Sequence, residues 1–238
     1  MTDYAFLIRN ELPKTLKVLS LFEDFDDSLA AALAGLGVFG PASSVDPVRI
    51  IDPRIGAALA YRSLNLEQLS VSYMSNAEDF FRACLPTWTW EHLQSLALTS
   101  ASLQPAGDRG RIYALLCSAA AAALRMPRLH TLVLWNGRRG NACAFVFDHQ
   151  DRGHPRITWR STWDLEITKA VVEAWQTVAS QARPSELGIE KQCIQGGVDS
   201  HGDAIHHLAL PCPVVAPASL WQMRREGAHR AVWYLPAQ

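Results

Sequence analysis

His201-Gly202-Asp203 sets an imidazole and a carboxylate two residues apart in a glycine-containing turn. That spacing can orient a histidine for proton transfer or hydrogen bonding, which makes His201 and Asp203 the candidate catalytic pair. The same residues also read as local structure, with Asp203 capping a short helix from Ala204 and His201 closing the turn. His206 and His207 are adjacent, so their rings diverge and make a poor chelating pair. Glu23 and Asp24 open a second polar spot, the acidic turn Glu23-Asp24-Phe25-Asp26-Asp27, which solvent alone would also satisfy. No aspartate-rich metal motif of the terpene-cyclase kind accompanies them. GxGxxG, GxxxxGK[ST], HExxH and GxSxG are all absent. Any chemistry is therefore expected to run without a nucleotide, a metal or another cofactor.

Bulk properties narrow the partners. With 22 Lys and Arg against 23 Asp and Glu, the net charge of −1 gives no electrostatic case for nucleic acid or an anionic membrane. The basic pairs Arg138-Arg139 and Arg224-Arg225 are isolated. Five cysteines (Cys84, Cys117, Cys143, Cys193, Cys212) are scattered singly, without CxxC spacing, which fits reduced thiols better than a disulfide frame or a zinc site. No signal peptide and no run near the ~20 apolar residues of a membrane span is visible. A soluble cytoplasmic protein is the expectation.

The residues that must position any site recur as a phrase. Leu93, Leu96 and Leu98 spell Leu-x-x-Leu-x-Leu, and Leu16/Leu19/Leu21, Leu66/Leu69/Val71 and Leu129/Leu132/Leu134 repeat it. In a leucine-rich repeat the last two apolar positions lie on a short strand facing the core. The residues between them then point to the opposite face. A stack of such strands gives an α/β fold with a parallel sheet backed by helices. Its second face would carry Ser20 and Phe22, then Ser70 and Ser72, then Ala97 and Thr99, then Val133 and Trp135, with Gln68 and Ser95 beside them. Small residues flanked by aromatics make a floor with walls, to which Trp159 adds another wall; this is how a mostly apolar pocket is built. Packing of the C-terminal segments on that face is the alternative. The phrases start about 50, 27 and 36 residues apart, against about 20–29 in a regular repeat, so the stack is expected to be irregular.

Helices are expected at 29–36 after a Ser28 cap, at 54–62, at 77–84 after an Asn76 cap, at 111–125 and at 167–182. A proline-rich loop is expected at 42–53. Asn136-Gly137 reads as a turn, followed by strands at 142–148 and 157–159 that would form a hairpin closing the end of the stack. A strand near Leu187-Gly188-Ile189, an apolar segment at 207–215 and a helix at 218–226 complete the chain. The expectation is one domain over 1–238, a repeat-like part to residue 140 and a hairpin-and-helix cap beyond it.

Seven segments, in order, carry a resemblance: Leu19-Ser20-Leu21-Phe22-Glu23-Asp24-Phe25, Asn65-Leu66-Glu67-Gln68-Leu69-Ser70-Val71-Ser72, Leu93 to Ser100, Trp135-Asn136-Gly137, Ile157-Thr158-Trp159-Arg160, Ser200-His201-Gly202-Asp203-Ala204-Ile205 and Ser219-Leu220-Trp221-Gln222-Met223-Arg224. Together they resemble the C-terminal domain of the fungal F-box-associated proteins, over roughly residues 12 to 227. The resemblance implies a filamentous-fungal source and a leucine-rich-repeat-like domain. Family members commonly begin with the F-box that docks a ubiquitin-ligase scaffold, whereas this chain begins almost at its first strand, so a stand-alone domain is expected.

Two functions follow as expectations. One is a cofactor-free small-molecule enzyme of fungal secondary metabolism, a cyclase or pericyclase such as a Diels–Alderase, holding an apolar terpenoid or polyketide on the sheet face. The other is a non-catalytic repeat module whose face binds a protein partner.

Overall fold

The computed structural model describes residues 3–25, 52–149, 154–181 and 185–233. Seven strands form one sheet in chain order: β1 (Val18–Phe22), β2 (Gln68–Ser72), β3 (Ser95–Thr99), β4 (Thr131–Arg138), β5 (Asn141–Asp148), β6 (Arg156–Ser161) and β7 (Gly188–Cys193). β1 to β4 are parallel, β5 runs antiparallel to both neighbours, and β7 lies parallel to β6. The described helices are α1 (Tyr4–Phe6), which runs into a π-helical turn Leu7–Glu11, α2 (Pro53–Ser63), α3 (Ala77–Ala83), α4 (Arg109–Ala123), α5 (Lys169–Ala179), α6 (His201–Leu208) and α7 (Pro217–Trp233). The fold is α/β.

The four leucine phrases stack in phase. Leu19, Leu69, Leu96 and Leu132 lie opposite one another across the sheet, and Leu21, Val71, Leu98 and Leu134 form the next row. A one-residue slip would turn both rows to the other face, so burying them fixes the register. They join Leu66, Leu93 and Leu129 in one core with α2, α3, α4 and α5. Helix α4 meets the sheet through alanines (Ala119, Ala120, Ala122, Ala123), whose small side chains permit close approach. The wholly buried Trp175 of α5 packs on Phe145 and Phe147, and its indole N–H donates to the Leu116 carbonyl at 3.1 Å.

Caps set the helix starts. Asp52 accepts the Arg54 N–H with Pro53 at the first helical position, and Asp108 accepts the Arg111 N–H. Asn76 precedes α3 as expected, but its side chain accepts the N–H of Ala101 instead, tying the β2–α3 junction to the β3–α4 loop. The helix expected at 29–36 and most of the loop expected at 42–53 lie outside the described residues.

Three expectations are corrected near the second half. Asn136-Gly137 is no turn: both residues are in β4, and the chain reverses at Arg139-Gly140, where Gly140 has φ +76°. Gly137 is needed for clearance, because a Cβ there would lie 2.5 Å from the Ala204 Cβ of α6. The hairpin β5–β6 does not end the sheet but continues it, and β7, longer than the expected strand, forms the edge.

Gly137→Ala should therefore push α6 off β4 and cost about 1–3 kcal/mol, read as a lower urea midpoint. Adding Ala204→Gly should recover most of the loss. A single variant as stable as the parent would contradict this packing.

Candidate functional site

Alternation turns Ser20, Ser70, Ala97 and Val133 to the second face, as one row across β1 to β4. Toward β4 and β5 that face is a packed core. Ala97, Val133, Trp135, Ala142 and Ala144 meet Ala204, Ile205 and Leu208 of α6, with Val198 and Val214. A proline-flanked strap, residues 212–217, links α6 to α7 and crosses the same face. Ser72 Oγ donates to the Val214 carbonyl at 3.1 Å, and Val214 is buried in the core.

Beside this plug, over the first halves of β1, β2 and β3, lies a cavity of about 270 Å³. Ser20, Ser70 and Ser95 are on its floor side, and Cys212, Val215 and Pro217 on its strap side; among the described residues no charged side chain lines it. Ser70 is 8% exposed, and its hydroxyl has no hydrogen-bond partner among the described residues. Burial pushes the Cys212 thiol up, against a hydrogen bond with the Ser95 side chain that lowers it. The cavity wall is thus neutral, with one orphan hydroxyl.

The sequence pair His201 and Asp203 is split. Both are in the first turn of α6, which Ser200 caps by accepting the Asp203 N–H. Residues two apart on a helix do not face each other. Asp203 accepts from Arg224 Nε of α7 at 3.2 Å. His201 Nε2 instead lies 2.9 Å from Asp24 Oδ1 and 3.0 Å from Met223 Sδ. A carboxylate oxygen only accepts, so Nε2 carries the hydrogen in this pair. The ring stacks on Phe25 at 4.4 Å, with Phe22 stacked beyond at 6.3 Å and Tyr73 edge-on at 6.2 Å. His201 is 6% exposed. The acidic turn, rather than the neighbouring aspartate, supplies its carboxylate.

The remaining predicted residues divide by position. Ser20 and Ser70 line the cavity. Phe22, Ser72, Thr99 and Trp135 belong to the other end of the strands, around Tyr73. Tyr73 holds φ +68°, a conformation bulky residues rarely adopt. Its N–H donates to Thr99 Oγ1 at 2.7 Å, its hydroxyl donates to the Gly137 carbonyl at 2.6 Å, and Trp135 packs edge-on at 5.1 Å. Trp159 lies on the wrong face to be a wall. Its partner across the antiparallel ladder is Phe145, and both point into the helix-side core.

Tyr73, Met223 and Cys212 are part of this face without being sequence candidates for the site. The two prolines flanking Cys212 were a signal that the segment is neither helix nor strand. Nothing in the sequence marks Tyr73.

A family described as a family of unknown function (DUF6546) matches residues 11–216. The chain belongs to this family. The match takes in all seven strands, α6 and the strap up to Ala216, so the cavity is nearly all family structure. No curated protein and no solved structure matches the chain. Among the described residues, no cluster of three or more His, Cys, Asp or Glu could hold a metal, and no helix is long and apolar enough to cross a membrane.

Ser70→Ala removes a buried hydroxyl without a protein partner, so it should raise Tm, by about 2–4 °C for each kcal/mol recovered in a chain this long. A lower Tm in calorimetry would mean that the hydroxyl is already satisfied. Burial pushes the Cys84 and Cys143 thiols up to about 12, which leaves about one part in ten thousand as thiolate at pH 8. Iodoacetamide should therefore label the exposed Cys193 in the native protein while Cys84 and Cys143 react only after unfolding.

Proposed function

We propose that the chain binds an apolar small molecule in the cavity over β1 to β3. The observation that supports this most is the Ser70 hydroxyl, buried in the cavity wall without a hydrogen-bond partner among the described residues. Native proteins satisfy nearly all buried polar groups, and an exception calls for a ligand or a functional reason. The cavity is slightly smaller than the ~300–1,000 Å³ usual for ligand sites, which favours a small ligand.

The narrower form of the proposal is a cofactor-free cyclisation. A shaped apolar cavity selects a folded conformer, and a hydroxyl in a dry site polarises a reacting oxygen. In this reading Ser70 supplies the hydrogen bond. His201, at the other end of the face, holds α6 against Asp24 and the aromatic cluster, and Asp203 holds α7. F-box-associated ancestry, a fungal source and a cytoplasmic location are part of the proposal, and rest on the resemblance of the seven segments and on the unpaired cysteines.

A second reading, a protein-binding module, is favoured by an exposed apolar patch away from the cavity. Tyr4, Phe6 and Leu7 of the N-terminal turn are exposed beside α2, as are Tyr61 and Leu85. Arg9 covers the Tyr61 ring at 4.8 Å, and Tyr61 meets Trp88 at 6.2 Å. Contiguous exposed aromatics mark docking surfaces more often than isolated ones.

The two readings separate by mutation. Ser20 is an exposed strand residue on the cavity lining, so Ser20→Phe should fill the cavity without unfolding the protein. It should abolish saturable binding of neutral apolar fragments in calorimetry and leave Tm within about 2 °C of the parent, as a surface substitution does. Unchanged fragment binding in that variant would refute the cavity. Phe6→Ser with Tyr61→Ser should leave fragment binding intact; under the second reading it would abolish partner binding.

A further inference from the structure

We propose that the ligand is a neutral molecule of about ten heavy atoms whose single oxygen, a carbonyl or a hydroxyl, hydrogen-bonds to Ser70 Oγ. This rests on the cavity being a binding site and specifies what it selects.

Size comes first. An apolar cavity of about 150 Å³ accepts benzene, so about 270 Å³ accommodates on the order of ten heavy atoms. A larger polycyclic skeleton would protrude past the exposed Val18 and Ser20 at the β1 edge, because Ser72 and the buried Val214 hold the strap down.

Charge comes second. The lining residues are all uncharged. A carboxylate or phosphate drawn into this space would be desolvated without a partner, a cost that far exceeds what its apolar part gains. Lys17 and Glu67, the residues just before β1 and β2, pair with each other at 3.7 Å.

Polarity comes third. Ser95 is half-buried, and Ser20 and Gln68 are exposed, so water can satisfy all three. Of the polar residues lining the cavity, Ser70 is the one more than nine-tenths buried, and its hydroxyl is unmatched among the described residues. A hydroxyl both donates and accepts, so it suits a ketone, an aldehyde or an alcohol. Cys212 adds no covalent capture, because burial raises its thiol and keeps it protonated. Binding is reversible, with one polar contact.

Three ten-carbon monocyclic probes separate these claims: limonene, its ketone carvone, and perillate, which carries a carboxylate. In calorimetry on the full chain, carvone should bind about tenfold more tightly than limonene, the value of one buried hydrogen bond. Perillate should bind at least tenfold more weakly than limonene. Ser70→Ala should bring carvone to the limonene affinity while leaving limonene unchanged. Ser70→Thr, which keeps the hydroxyl, should preserve the carvone preference. Equal affinities for carvone and limonene in the parent, a preference that survives Ser70→Ala, or perillate as the tightest probe would each overturn the inference. Saturable binding of none of the three would overturn the cavity reading beneath it.

Discussion

The structure depends on covering both faces of one sheet. Parallel strands need crossover connections, and here α2, α3, α4 and α5 all belong to the core on a single face. The second face must then be buried by something outside the crossovers. Helix α6 does this over β3 to β5, and the strap at 212–217 does it farther along. One hydrogen bond, from Ser72 Oγ to the Val214 carbonyl, anchors the strap to the sheet, and the buried Val214 side chain is the plug beside it. Where the covering stops, the cavity begins.

How much of this was legible follows from how local each signal is. The leucine phrases encoded strand, register and inward face together, because period-two alternation admits no other choice once one face is apolar. They placed Ser20 and Ser70 on the second face correctly. What they could not encode was which part of that face the C-terminal segments would cover, since α6 and the strap are distant in sequence from β1 to β3. His201-Gly202-Asp203 misled for the opposite reason. The spacing suggests a pair of sequence neighbours, whereas helical geometry points residues two apart away from each other. The partner of His201 is Asp24, which no local pattern could join to it. Trp159 faces the helix side because the register of β6 is set by its pairing with β5 and not by a repeat. Asn136-Gly137 has turn chemistry, but its glycine serves the close approach of α6.

The two ends of the second face divide the work. Around Tyr73, Ser72, Thr99 and His201 are each engaged in a bond that holds a strand end, a strained backbone or a helix in place, while the Trp135 indole N–H has no partner among the described residues. At the cavity Ser70 is not so engaged. Apolar replacement of a buried, unmatched hydroxyl is normally stabilising, and the proposed ligand contact rests on this hydroxyl.

The central claim is that ligand binding is confined to the strap side of the Val214 plug. Amide chemical-shift mapping by NMR during a carvone titration tests it most directly. The account predicts that shifts concentrate at Ser20, Ser70, Ser95 and residues 212–217, with little change at His201 and Trp135. Shifts centred on His201, Phe25 and Tyr73 would contradict it and move the site to the other end of the sheet.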